Sequence, residues 1–336
     1  MQKKHLYLPL LGLISLVYSV CSCSTGEAAS QILGTSSQAP VFLACKAVSG
    51  TEIEFQFSKP VTIVSVLFNP PVEVEAFDEG AVIRVQLAAG LKPGEKLTAD
   101  LLAKDEKGNT VNVLVPFRTR NDRIPALVIN ELRTEYSKPK AEFIEFKILE
   151  DGNLAALRVF IAGNNKTPMV YEFSSVEVLA NEFVLLHLRT MEETSCDEYG
   201  SDLDESGGAD AVSGVRDFWV PDTVKLLRKT DIVYVLNQDD EVIDAVMLSE
   251  NTDTWWNKDY LADASNFLYE KGAWKSSDGK IAGPKDAVNT LNIKTAMTRS
   301  VSRDETVSDT NTAADWYITA TSGISPGKPN NPARFQ

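Results

Sequence analysis

Residues 311–332 read NTAADWYITATSGISPGKPNNP. A free tail tolerates almost any composition, yet this one joins a tryptophan, a strand-like WYITAT run and a Pro-Gly-x-Pro-Asn turn. The segment is therefore expected to be docked, and a docked strand needs a sheet to receive it.

The preceding sequence supplies one. From residue 124 onward, ALVINEL, EFIEFKIL, ALRVFI, MVYEF, EFVLLHL, VKLLR, DIVYVLN and EVIDAVML are short, β-branched and turn-bounded. This pattern predicts a β-sandwich over 124–336. Two segments interrupt it: 190–217, which is acidic and glycine-rich, and 251–292, which holds most of the tryptophans. Within the second, WNKDYLADASNFLYEKG puts Tyr260, Leu261, Ala264, Phe267 and Leu268 at helical spacing, so this insertion is expected to be partly helical.

Residues 40–121 give a smaller unit. Seven runs (VFLACKAV, TEIEFQF, PVTIVSVLF, PVEVEAF, AVIRVQL, KLTADLLA and TVNVLVPF) are separated by Gly, Pro, Asn and Asp. In TEIEFQF, Ile53, Phe55 and Phe57 share one face and Glu52, Glu54 and Gln56 the other. Seven strands in about 80 residues suit an immunoglobulin-like sandwich. LKPGEKL followed by DEKGNTVNV also resembles the small bacterial Ig-like domains of surface proteins. A polar link, NDRIP at 121–125, separates the two units. The expected fold class is all-β, two immunoglobulin-like sandwiches in tandem.

In the larger unit, ALVINEL with EFIEF, then DIVYVLNQDDEVIDAV, then TRSVSRDETVSDTNTAADWYITATSGISPGKPN resembles, in this order, the lamin-tail domain. The match spans roughly 125–332, and Arg303, Asp309, Asp315, Trp316 and the PGKPN turn carry it most specifically. The resemblance implies that Trp316 lies in the core of the closing strand and that Pro326 to Asn330 pin the end of the domain. It also implies that Glu131, Glu142 and Glu145 belong to the fold rather than to an active site. The chain departs from the family where Gln238, Asp239 and Asp240 replace the usual hairpin glycine, and in the two insertions.

The N-terminus sets the compartment. Lys3 and Lys4 precede an apolar run, Leu6 to Val20, too short to span a bilayer comfortably. The run ends in VCSC, which resembles a loosened lipoprotein lipobox. Residues 1–22 are thus expected to be a signal peptide, Cys23 the lipidated residue, and 23–39 a Ser-, Ala- and Gly-rich tether. An acylated Cys23, palmitate being one such acyl group, makes the membrane itself a partner. The expected location is the bacterial cell envelope, membrane-anchored, on the outer membrane's periplasmic or surface face. Losing Lys3 and Lys4 takes the net charge from -14 to -16, which argues against nucleic acid as a partner.

Little in the chain reads as catalytic equipment. Beyond the signal there is one histidine, His187, which reads as a structural side chain. Cys196 sits among Glu192, Glu193, Asp197 and Glu198, which raise a thiol pKa. Asp202 to Ser213, DLDESGGADAVS, partly matches a calcium loop, with Asp202, Asp204, Ser206 and Asp210 as candidate metal ligands, but Ser213 stands where a bidentate Glu belongs. The other reading is a solvated acidic loop. Trp255 and Trp256 are candidate ligand-binding residues for sugar rings or peptide side chains, against the alternative that they pack the insertion onto its sandwich.

These readings combine into a non-enzymatic envelope lipoprotein that displays a binding or scaffolding sandwich to proteins, glycans or the cell wall, with no certain cofactor beyond the calcium candidate. One rival is a metal-assisted hydrolase using Asp197, Asp202, Asp204 and Asp210. The other is a purely structural spacer.

Overall fold

A computed structural model describes residues 38–294 and 298–335. The signal segment, Cys23 and nearly all of the tether lie outside the described residues. Among those described, no helix is long and apolar enough to cross a membrane.

The chain adopts the all-β sandwich architecture that its alternation predicts. In the first unit, β1 (Phe42–Ala47), β2 (Glu52–Asn69), β3 (Val74–Phe77), β4 (Gly80–Leu87), β5 (Lys96–Lys104) and β6 (Thr110–Arg118) enclose one core. β2 belongs to both layers. Its first half pairs with β1 and β4, its second with β5, and β5 pairs with β6. TEIEFQF and PVTIVSVLF, read as two strands from sequence, are thus a single one. Pro60 falls where the ladder to β4 breaks, between Gln56 and Val61, so its missing N–H interrupts no pairing and the strand turns the corner there. Ile53, Phe55 and Phe57 share a face as expected and are buried against Ile83, Val85 and Leu101.

The second unit packs two sheets. One is ordered β14-β13-β8-β7-β18-β19, from β7 (Leu127–Arg133), β8 (Phe143–Ile148), β13 (Phe183–His187), β14 (Arg216–Trp219), β18 (Val301–Arg303) and β19 (Trp316–Ile318). The other is ordered β11-β10-β15-β16-β17, from β10 (Arg158–Ile161), β11 (Met169–Glu172), β15 (Asp231–Leu236), β16 (Val242–Ser249) and β17 (Val288–Asn289). A small ribbon pairs β9 (Gly152–Asn153) with β12 (Glu177–Val178). Ile129, Ile144, Phe146, Val159, Leu186, Val233 and Val246 fill the core. The helical stretch is α1 (Asp259–Glu270), which buries Leu261, Ala264 and Leu268 and lays Phe267 5.5 Å from Tyr234 of β15.

The ending is docked. β19 pairs with β18, which pairs with β7, and Trp316 is buried with the Arg303 guanidinium 4.5 Å above its ring. Beyond it the chain turns at Pro326-Gly327, where the Lys328 N–H donates to the Ser325 carbonyl. Gly327 has φ +74, and a Cβ there would come 2.2 Å from Val215 Cγ2. Glycine is thus required twice over, by conformation and by space.

Candidate functional site

The outer face of the six-stranded sheet gathers most of the titratable groups that sequence reading singles out. Alternation along β8 turns Ile144 and Phe146 into the core and Phe143 and Glu145 outward, and Glu145 faces Glu131 directly across the β7–β8 pairing. Both carboxylates are fully buried, because the C-terminal turn lies over them. The Ser325 N–H donates to Glu131 at 3.1 Å and the Gly327 N–H to Glu145 at 2.5 Å, while Asn130 Nδ2 donates to Glu145 at 2.8 Å. Burial pushes both carboxyls up, Glu145 to about 8. Glu142 belongs to a separate pair, gripped at both oxygens by Arg189 at 2.6 Å.

Segment 190–215 covers the other half of the same face. His187 is buried and stacks on its parallel cross-strand neighbour Trp219, with ring centroids 3.9 Å apart. Its Nε2 lies 2.8 Å from Asp217 and its Nδ1 3.7 Å from Asp210. Burial alone would lower the His187 pKa, but its hydrogen bond to Asp217 and the nearby negative charge of Asp210 outweigh it and hold the pKa up.

The calcium candidates do not converge. Asp210 is bound by the Arg133 guanidinium and the Ala141 N–H, Ser206 Oγ accepts from Trp219 Nε1 at 3.0 Å, Asp204 accepts from the Gly214 N–H, and Asp202 from the Asp204 N–H. Among the described residues no three His, Cys, Asp or Glu side chains form a metal-holding group. The segment is only in part a solvated tract: Glu193, Asp202, Asp204 and Glu205 are exposed, but Glu198 is fully buried and accepts from two backbone N–H groups, those of Ser206 and Asp217. Its charge is answered from other strands, by Arg133, which precedes Asp210 by 77 residues, and by His187.

The adjacent tryptophans separate. Trp256 packs against the core and donates to the Ala282 carbonyl at 2.9 Å, whereas Trp255 is 75 % exposed. Cys45 is half-buried and its thiol is pushed up to about 12 by burial; burial, then Glu205, Glu198 and Asp197, raise Cys196.

What sequence reading misses is the joint. Asn121 of the link is buried, and its Nδ2 donates to the Asn153 and Ala155 carbonyls at 2.7 and 2.9 Å. Its N–H and C=O are both bonded by the Gln238 side chain, and the neighbouring Arg120 makes a two-pronged pair with Asp239 at 2.9 and 2.6 Å. The hairpin at Gln238 to Asp240 is therefore the clamp between sandwiches. Arg118 adds a pair with Glu172 at 2.7 Å. Gly94 comes so close to the second unit that a Cβ would lie 2.8 Å from Ala155 Cβ.

Around this clamp both units line open cavities. One, about 1020 Å³, has Lys92 and Pro93 on one side and Ser175, Leu179, Tyr199 and Arg216 on the other. A second, of about 550 Å³, continues it, sharing Lys92, Pro93, Ser174 and Ser175. A cleft of that size, largely apolar with a few convergent polar groups, takes a ligand of several rings or residues.

Fold and cleft together define a class: an all-β protein of two clamped sandwiches with a ligand-sized groove at the joint. The chain belongs to the family described as "TP_1001_2nd: protein second domain", which it matches over residues 125–318. It is 27% identical over 192 residues to a Treponema pallidum (strain Nichols) protein described as uncharacterized, covering 55% of this chain and 49% of the relative. The chain thus spans about half the length of that curated relative. Among solved structures it is loosely similar to the N-terminal part of the bacterial S-layer protein SbsC (14% identity, 66% of this chain and 45% of that one, TM-score 0.25). It is also loosely similar to a DUF4876 family protein from Bacteroides thetaiotaomicron (9% identity, 88% and 99%, TM-score 0.32).

Proposed function

We propose that the chain is a non-enzymatic lipoprotein of the bacterial cell envelope, held by an acylated Cys23 and displaying an immunoglobulin-like sandwich and a lamin-tail-like one as a single binding unit. The observation that carries this reading is the joint: with the sandwiches clamped through Gln238, Asp239 and Asn121, a groove walled mostly by the second unit is bordered by Lys92 and Pro93 of the first. Binding sites favour such inter-unit clefts. The buried acids and His187 hold covering segments onto a sheet, a use of charge that builds structure. The signal-like segment with VCSC supplies the anchor, and the chain's net charge of -14 turns the unit away from polyanions.

The test is metabolic labelling of cells with an alkyne fatty acid, followed by fractionation. The full chain is expected to carry label and to sediment with membranes, and the Cys23→Ala variant to lose both. An unlabelled wild-type chain, or one recovered in the cytosol, removes the lipid anchor and the envelope location from the proposal.

A further inference from the structure

We infer that the joint groove binds an uncharged, hydroxyl-rich chain, an oligosaccharide, with Tyr199 and Leu179 as its apolar contacts. The inference rests on the proposed binding role and goes further by naming the ligand chemistry. Its first support is charge. In a chain of net charge -14 the lining of the 1020 Å³ cavity is balanced, Lys92 and Arg216 against Glu177 and Glu182. Three of the four already have partners: Arg216 pairs with Glu182 at 2.8 Å and Glu177 with Arg123 at 3.0 Å. Arg216 is further fixed by donating to the Glu198 and Gly200 carbonyls. An anionic ligand could gain only Lys92 without breaking a pair and a cationic one would gain nothing, whereas a neutral one needs only hydrogen bonds at the free edges of the paired groups.

The second support is the lining that remains. Tyr199 is 46 % exposed with its ring edge-on to Phe218, and its hydroxyl is tied to Asp197 at 2.8 Å. The ring is thereby held in a fixed place while part of its surface stays open. Leu179 is 64 % exposed on the same lining. Ser174, Ser175 and Ser201 add hydroxyls, and Asn153 orients the Ser175 hydroxyl and the Glu177 carboxylate through its amide at 3.1 and 3.0 Å. Sugar rings present apolar C–H faces beside dense hydroxyls, so an aromatic platform bordered by hydroxyl, amide and paired carboxylate matches them. The continuation past Lys92, Pro93, Ser174 and Ser175 gives the length for a chain of several rings.

The experiment is isothermal titration of the full chain in detergent with cellotetraose and chitotetraose, alongside a sulfated tetrasaccharide and an unstructured decapeptide. At least one neutral tetrasaccharide should bind. Tyr199→Ala and Leu179→Arg should each weaken it tenfold or more, and Trp255→Ala should leave it unchanged. Leu179→Arg alters an exposed side chain, so its melting temperature should match the wild type and exclude misfolding. Binding of neither neutral probe at millimolar concentration, preference for the sulfated one, or indifference to Leu179→Arg each overturns the inference. Peptide binding abolished by Leu179→Arg also overturns it, yet leaves the proposed binding role intact; failed fatty-acid labelling strikes the anchor alone.

Discussion

Glu145 is an acid placed where an anion is costly. It is buried, it faces another buried acid, Glu131, across an antiparallel pair, and a pKa of about 8 is the consequence. Because the folded pKa lies above the ordinary 4.5, the folded state holds this proton more tightly than the unfolded chain does. Its contribution is therefore complete below pH 4.5 and is lost as pH rises toward about 8, at up to about 1.4 kcal/mol per pH unit for one proton. Melting temperatures recorded between pH 5 and pH 9 should fall for the wild type, and the Glu145→Gln variant should fall distinctly less. Glu131, raised in the same direction, leaves some residual slope. Equal slopes in both proteins would mean that Glu145 is ionised throughout.

Elements owe their places to contacts that sequence periodicity does not record. The C-terminal turn is the clearest case: its Ser325 and Gly327 N–H groups satisfy Glu131 and Glu145, and Asn330 Nδ2 donates to the Asn130 and Arg303 carbonyls at 3.0 and 2.9 Å. Each such bond contributes about 0.5–3 kcal/mol, most where the acceptor is ionised, and rehydration of the uncovered acids offsets part of the loss. Ending the chain after Ile324 should thus cost more than about 3 kcal/mol, roughly 10 °C of melting temperature for a unit of this size, while β19 remains. A truncated protein that melts within about 2 °C of the full chain would show that the turn is ornamental. That the ending docks is legible in WYITAT and SPGKPN, and α1 is legible in its spacing. The role of the acidic segment is not, because counting charges within 192–210 leaves out Arg133 and His187, which reach it from other strands. The unity of β2 is likewise hidden, since Pro60 punctuates the sequence without ending the strand.

At the scale of the molecule, alternation reveals two sandwiches but not how they meet, since the groove draws Lys92, Ser175 and Tyr199 from distant parts of the chain. The one sequence cue is Gln238 to Asp240, a polar hairpin without glycine whose role becomes intelligible only beside Asn121. Each unit has its own core, so each could melt by itself were the joint loose. The clamp opposes this. Removing the Asn121 amide leaves the Asn153 and Ala155 carbonyls buried without their donor, a loss of about 1–3 kcal/mol, whereas the partly exposed Arg120–Asp239 pair contributes less because water screens it. Scanning calorimetry of the wild type should therefore show one transition, with calorimetric and van't Hoff enthalpies in agreement. Asn121→Ala combined with Asp239→Ala should split it in two, and small-angle scattering should show a wider spread of overall dimensions. Two separate transitions in the wild type would mean that the sandwiches are only tethered, and a groove walled by both could not then hold a fixed shape.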